Sequence, residues 1–258
     1  MLLTPKLIIT DLDRTLLKTD KSISAYTEDI FHMCNRAGIP IVFATARSPQ
    51  HLGKILEAIP ADGIIGNGGA IATFRGKRVY HATLDAHTAN TIVTRAVERA
   101  TNRHISFETD HAYHFNYTHS DWIKGFTSGF ARPMDFNRPI NEPVQKIAAE
   151  CSYEAALEII SGMRDVSVMQ LAGEAWLFIS HTNATKWQAV KALAAFLDID
   201  PKDIAVFGDD YNDVEMLANC GISVAVANAI PEAKAAAKFH CGGNDDDGVA
   251  KWIECNLF

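Results

Sequence analysis

Over its first eighty or so residues the chain alternates short, wholly apolar runs with stretches whose apolar positions recur at helical spacing: Leu7–Thr10, Ser24–Arg36, Ile39–Ala44, Pro49–Ala58 and Gly63–Ile65. Runs that are apolar on both faces suit parallel strands covered by helices on each side, and their order spells a βαβαβ rhythm. Ala70–Phe74 and Arg78–Ala82, joined through Arg75-Gly76-Lys77, read as a hairpin with glycine at its turn.

The rhythm changes between about Thr83 and Asn183. A helical pattern over Asp85–Thr101 is followed by polar and aromatic strands at His104–Glu108 and Ala112–Tyr117, then a loop-rich stretch through Arg132-Pro133 and Asn137–Pro143. A strand at Val144–Ala149, a helix at Tyr153–Met163 and strands at Val166–Leu171 and Trp176–Ser180 complete it. Strands that group together predict an antiparallel sheet in an α+β lobe. From Lys186 the first rhythm resumes: helix Trp187–Leu197, strand Ile204–Phe207, helix Val214–Ala218, strand Ile222–Ala225, helix Pro231–Ala237, a short strand near Phe239 and helix Val249–Glu254. The fold class expected is therefore α/β. A Rossmann-like parallel-sheet core, residues 1–82 and 184–258, carries a smaller α+β domain inserted at 83–183.

Composition narrows the class of function. The 258 residues can bury a sizeable core, and 48% hydrophobic with 21% charged residues is ordinary for a globular protein. Cys34, Cys151, Cys220, Cys241 and Cys255 are scattered and odd in number, as in reduced thiols of the cytoplasm. The N-terminus meets Asp11 before a signal peptide's apolar segment is built, and the longest uncharged run, Met216–Pro231, is too polar for a membrane span. A net charge of −7 without a basic block argues against nucleic acid as a partner. Monomer and dimer are both left open.

Candidate chemistry begins with LIITDLDRTLL, residues 7–17, where Asp11 and Asp13 stand two apart in an apolar run. Alone, the pair fits a turn at a strand end as well as a site. In a parallel α/β sheet, however, ligands collect at the carboxyl ends of the strands. Those ends here are Asp11 and Asp13, then Thr45, then Gly208-Asp209-Asp210, with Asn212 and Asp213 one turn on. Singly, Asp209 or Asp210 fits a helix cap and Thr45 a strand end. Jointly, so many carboxylates in one crevice repel unless a divalent cation sits among them, and an all-oxygen set suits Mg2+. Lys186 opens a helix, where the macrodipole disfavours a cation; that misfit favours a functional role facing a phosphate or a carboxylate.

With these residues in place the chain resembles the haloacid dehalogenase-like phosphohydrolases, in particular the Cof-type branch with a large inserted cap. Asp11-x-Asp13-x-Thr15 matches the first motif, Thr45-Ala46-Arg47 the second, Lys186 the third and Gly208-Asp209-Asp210-x-Asn212-Asp213 the fourth. Asn67-Gly68-Gly69-Ala70-Ile71, Asn228-Ala229-x-Pro231-Glu232-x-Lys234 and Asp247-Gly248-Val249-Ala250 extend the match. The resemblance implies a phosphatase of small phosphorylated metabolites, sugar phosphates first, with pyridoxal phosphate or flavin mononucleotide next. It implies Asp11 as nucleophile forming an aspartyl-phosphate and Asp13 as general acid and base. Mg2+ would be held by Asp11, the main-chain carbonyl of Asp13 and Asp209, with Asp213 orienting a metal-bound water. Thr45, Ala46, Arg47, Lys186 and Asn212 would surround the phosphate. A sugar phosphomutase shares all of these core motifs, and a phosphorylatable binding module would need Asp11, Thr45, Lys186 and Mg2+ but no acid at Asp13.

The chain departs from the pattern at three places. Arg14 stands where glycine is common, Ala46 replaces a usual glycine, and Trp187 replaces the glycine that often follows the motif lysine. Other signals are weaker. Gly243–Glu254 imitates a calcium loop without a first ligand, so Asp247 reads as a cap of the last helix. Asp209-Asp210-x-x-Asp213 imitates the acidic motif of terpenoid synthases, but a strand precedes it. His111, His114 and His119 read as surface or lining residues. Phe107, Tyr113, Phe115, Tyr117 and Trp122 read equally as a pocket lining or a small core, with alternation placing Tyr113, Phe115 and Tyr117 on one face.

Overall fold

The computed structural model describes residues 3–99, 104–117, 129–134, 138–170 and 176–258. The architecture is α/β, and the chain divides into two compact units: Met1–Tyr80 with Thr185–Phe258, and His81–Ala184.

Strands are numbered along the whole chain. In the first unit they are β1 (Leu7–Thr10), β2 (Ile41–Ala44), β3 (Gly63–Gly66), β4 (Ile71–Phe74), β5 (Lys77–His81), β12 (Ile204–Gly208), β13 (Ile222–Ala225) and β14 (Phe239–His240). They form one sheet in the order β14-β13-β12-β1-β2-β3-β4-β5, parallel from β14 to β3. Every residue of β1, β2, β12 and β13 is buried, because helices cover both faces. The order runs outward from β1 in one direction and from β12 in the other, so the topology switches between these two strands. There Thr10 is in register with Phe207, and Asp11 N–H donates to Phe207 O over 3.0 Å. A ligand crevice belongs at this point.

The second unit holds β6 (Ile105–Glu108), β7 (Tyr113–Phe115), β8 (Ala131–Pro133), β9 (Lys146–Ala149), β10 (Val166–Gln170) and β11 (Leu177–His181), in the order β10-β11-β9-β6-β7-β8. All pairings are antiparallel except β7 with β8. Ile105, Phe107, Ile147, Ala149, Leu177 and Ile179 share a core with Ile92 and Ala96 of the helix Ala86–Arg99 and Ile159 of the helix Tyr153–Ile159. Tyr113, Phe115 and Tyr117 make a separate buried cluster with Trp176, and the Tyr113 hydroxyl pairs with that of Tyr117 at 2.6 Å. Phe107 lies in the other cluster and stacks on His114. His111 is at the surface, 3.9 Å from Glu142. His119 and Trp122 lie outside the described residues.

Two expectations about elements are corrected. The loop expected at Arg132-Pro133 is the edge strand β8, where the missing N–H of Pro133 costs no ladder bond on the outward side. The helix expected over Pro49–Ala58 is a 3-10 turn, Pro49–His51, and an α-helix, Gly53–Ala58. They part at Leu52, which leaves helical geometry (φ −94°) with its side chain fully buried in the core. The hairpin turns at Arg75 (φ 46°) and Gly76 (φ 77°), the paired positive values of a type I′ turn.

Candidate active site

At the end of β1 the chain turns sharply about Leu12, whose carbonyl accepts from the N–H groups of Leu16 (3.1 Å) and Leu17 (2.8 Å) while its side chain is buried. The turn sends the neighbouring carboxylates apart. Asp11 points into the crevice and Asp13 toward Arg47 and Lys21.

The Asp11 side is dry. Lys186, first residue of the helix Lys186–Leu197, is fully buried, and its ammonium donates to Asp11 Oδ1 and Asp213 Oδ1, both at 2.6 Å. This answers the misfit of a cation at a helix start, since two carboxylates outweigh the dipole. The helix start is held by Thr185, whose hydroxyl accepts from Gln188 N–H at 3.2 Å. Gly69, at φ 107°, lets the Asn67-Gly68-Gly69 turn approach closely, because a Cβ there would stand 2.1 Å from the carbonyl carbon of Thr185. Gly208 has the same role at the end of β12, where a Cβ would collide with the Asp213 side chain at 2.5 Å. Asp213 therefore folds back on the strand end, and its Oδ2 accepts from the N–H groups of Asp209 (3.0 Å) and Asp210 (3.2 Å). Asp210 caps this 3-10 turn, Tyr211–Asp213, in a capping box with Asp213. Thr15 donates its hydroxyl to Asp209 Oδ1 at 2.7 Å.

Asp11, Asp209 and Asp213 each offer a carboxylate oxygen, all within 4.8 Å of one another. Burial pushes Asp11 well above the usual carboxylate range against the pull of Lys186, with Asp213 and Asp209 adding to the rise. Burial, then the Asp213 charge, raises Asp209 to about 7. Lys186 is held protonated: its two acids overcome a desolvation that acts the other way. Asp11 Oδ2 is buried and has no hydrogen-bond partner among the described residues. Three carboxylates against one ammonium, with one oxygen orphaned, fit a hard divalent cation.

Asp13 differs. Arg47 grips it with two donors, Nε to Oδ2 and Nη2 to Oδ1, each at 2.6 Å, and Lys21 Nζ adds a third bond to Oδ1 at 2.8 Å. Burial works to raise its pKa, yet Arg47 and then Lys21 hold the carboxyl below its ordinary value. Its side chain stands outside the acidic trio. Thr45 is buried after β2, and its Oγ1 accepts from Arg47 N–H at 3.1 Å. Ala46 is half-buried between them, and Asn212 is half-buried on the turn beside Asp213. Among the described residues, no hydrogen bond ties Asn212 to Asp11, Asp13 or Lys186.

The departures resolve differently. Arg14 has φ 63°, which explains why glycine is common there, and its guanidinium lies 3.9 Å from Asp209 with half of the side chain exposed. Trp187 lies under the ammonium of Lys191. Asp247 is at the N-cap position of the helix Gly248–Leu257 but, at φ 55°, makes no side-chain capping bond, which corrects the expectation of a side-chain cap. Lys21 carried no sequence signal beyond its place eight residues after Asp13.

Comparison with known proteins decides the family. The profile of the haloacid dehalogenase-like hydrolases matches residues 8–253. The chain belongs to this family. As a haloacid dehalogenase-like hydrolase it is an enzyme, which sets aside the non-enzymatic binding module. YxeH of Bacillus subtilis is 27% identical over 262 residues, covering 96% of this chain and 97% of that one. The HMP-PP phosphatase of Yersinia pseudotuberculosis is 27% identical over 236 residues, covering 87% and 84%. Among solved structures, the HAD subclass IIB sugar phosphatase BT4131 superposes with TM-score 0.83 at 20% identity over 97% of this chain and 98% of that one. A haloacid dehalogenase-like hydrolase from B. subtilis superposes with TM-score 0.83 at 24% identity over 96% and 99%. No described helix is long and apolar enough to cross a membrane.

Proposed function

We propose that this hydrolase is a cytoplasmic, Mg2+-dependent phosphatase of small phosphorylated metabolites, acting through an aspartyl-phosphate on Asp11, with sugar phosphates the favoured class. The observation that carries this reading is the orphaned, buried Oδ2 of Asp11 beside a fully buried Lys186 and two further acids. Mg2+ would be held by Asp11, the Asp13 carbonyl and Asp209, with Asp213 at the edge of the set. When bound it supplies charge neutralisation between nucleophile and phosphate dianion.

The chain's own residues do the rest. Lys186 fixes Asp11 by one oxygen and leaves Oδ2 to attack phosphorus, as the ester P–O bond breaks. The leaving oxygen takes a proton from Asp13. Asp13 then takes a proton from water, whose oxygen attacks phosphorus as the bond to Asp11 breaks, so Asp11 is freed and Asp13 regains the proton it gave. Asp13 starts ionised under Arg47 and Lys21. An arriving phosphate dianion competes for Arg47, and the loosened grip lets Asp13 take from solvent the proton it must donate; when inorganic phosphate leaves, Arg47 closes on Asp13 again and one proton returns to solvent. Thr45, Ala46 and Asn212 line the phosphoryl oxygens. No nucleic acid or membrane partner is invoked.

The test is a screen of phosphorylated metabolites for phosphate release, run with Mg2+ and with chelator. Metal-dependent release from sugar phosphates supports the reading, and return of the phosphoryl group to a sugar without release to water makes the enzyme a mutase.

A further inference from the structure

Two of the sequence motifs lie away from the reacting atoms, around Asn228 and around Asp247. Both reach the loop that follows the nucleophile. Asn228 donates its amide N–H to Arg14 O at 2.7 Å, and its Oδ1 accepts from Asn244 N–H at 3.0 Å. Asn244, itself buried, donates its side-chain amide to Leu17 O at 3.0 Å. Asp245 accepts from the N–H and the hydroxyl of Thr19, both at 2.8 Å. Asp247 accepts from Ser24 Oγ at 2.7 Å and Thr27 Oγ1 at 3.2 Å. The acids that imitate a calcium loop are thus spent on residues 19–27.

The loop needs holding. Arg14 and Lys21, near its two ends, have φ of 63° and 68°, a region that side chains with a Cβ rarely adopt. Arg14 is the residue after Asp13, and Lys21 is one of the donors to the Asp13 carboxylate. If the Arg14 peptide relaxes, the direction of Asp13 and the place of Lys21 change together.

We infer that Asn228 and Asn244 are positioning residues that clamp the carbonyls of Arg14 and Leu17 and so hold Asp13 in its catalytic direction. The clamp lets a non-glycine residue occupy a left-handed position that glycine would hold without help. Its catalytic consequence rests on the proposed role of Asp13; the clamp itself does not.

Asn228→Asp is the sharpest variant, because it keeps an acceptor for Asn244 and replaces the donor to Arg14 by a carboxylate oxygen that repels the carbonyl it held. Expected is a kcat about tenfold lower with KM within about twofold, since a small misplacement of a reacting group costs rate rather than binding. In an Arg14→Gly background the same change is expected to cost less than about twofold, because glycine holds the turn unaided. Amide hydrogen exchange of the segment 12–22, read by mass spectrometry, is expected to quicken in Asn228→Asp. Equal kcat losses in both backgrounds, an effect on KM alone, or an unchanged kcat overturns the positioning role. Unchanged exchange overturns the clamp. A wild-type enzyme that releases no phosphate overturns the reaction, and with it the catalytic consequence, while the exchange measurement still decides the clamp.

Discussion

Asp11 and Asp13 are separated by one residue, yet their surroundings are opposite in kind. Asp11 lies in a dry pocket where burial dominates; its cation, Lys186, is equally buried and shared with Asp213. Asp13 keeps a third of its side chain exposed and is held by two cations, of which Lys21 is half in water. Burial makes the charged form of Asp11 expensive until more positive charge arrives, which ties the nucleophilic role proposed for it to the state of the site. Cations hold the carboxyl of Asp13 below its ordinary value, and its partial exposure suits the acid and base role proposed for it. The same side chain is thus given two environments by solvent and neighbours alone, which is the basis for the two tasks proposed.

Isosteric amides at the two positions give the largest effects and the most direct comparison. Asp11→Asn removes the proposed nucleophile, and phosphate release is expected to fall by about 10⁴-fold or more. Asp13→Asn removes only proton transfer, with an expected loss of about 10²–10⁴-fold in kcat and little change in KM. Trapped aspartyl-phosphate, detected by mass spectrometry, should appear in Asp13→Asn and never in Asp11→Asn. Equal residual activity in both, or full activity in either, would break the division of labour.

Stability separates the clusters next. Lys186→Ala leaves three acids around an uncompensated pocket and should cost about 3–5 kcal/mol in the metal-free protein, read by denaturant unfolding. The pH dependence also has opposite signs. Asp209, raised to about 7 in the fold, gives stability that is full below its unfolded pKa and lost as pH rises through about 7. Asp13, lowered in the fold, gives stability that is present above its unfolded pKa and lost as pH falls through the lowered value. Metal-free protein should therefore lose stability between pH ~4 and pH ~7, and saturating Mg2+ should flatten that slope. A metal-free slope of the other sign would show that the trio does not hold excess protons.

What could be read from the chain follows from how each residue is placed. Asp11, Thr45 and Asp209 follow buried strands whose apolar runs are unmistakable, and Lys186 and Asp213 open helices beside them. A strand end fixes a position to within a residue, so the trio and its lysine were legible. Lys21 was not, and Asn228 was legible only as part of a motif and not by its partner, because both partners are reached through loops shaped by left-handed residues, and a positive φ at Arg14 or Lys21 leaves no periodic trace. The edge strand β8 was hidden for a related reason, since Pro133 reads as a breaker wherever an edge is not known. Trp122 and His119 lie outside the described residues.

The smallest effect tests the open side of the comparison. Lys21 is half exposed and shares Asp13 with Arg47, whose two-point grip remains when Lys21 is removed. An exposed ion pair contributes little to folding, so Lys21→Ala should lower stability by less than about 1 kcal/mol, against several for Lys186→Ala. Its effect on turnover should be modest and should shrink as salt rises, because ions screen a half-exposed pair but not a buried one. Rate measured against ionic strength in the two variants checks this. A salt-independent loss in Lys21→Ala as large as that of Asp13→Asn would mean that Lys21 touches the substrate itself, and the contrast between a dry nucleophile and a screened acid would have to be redrawn.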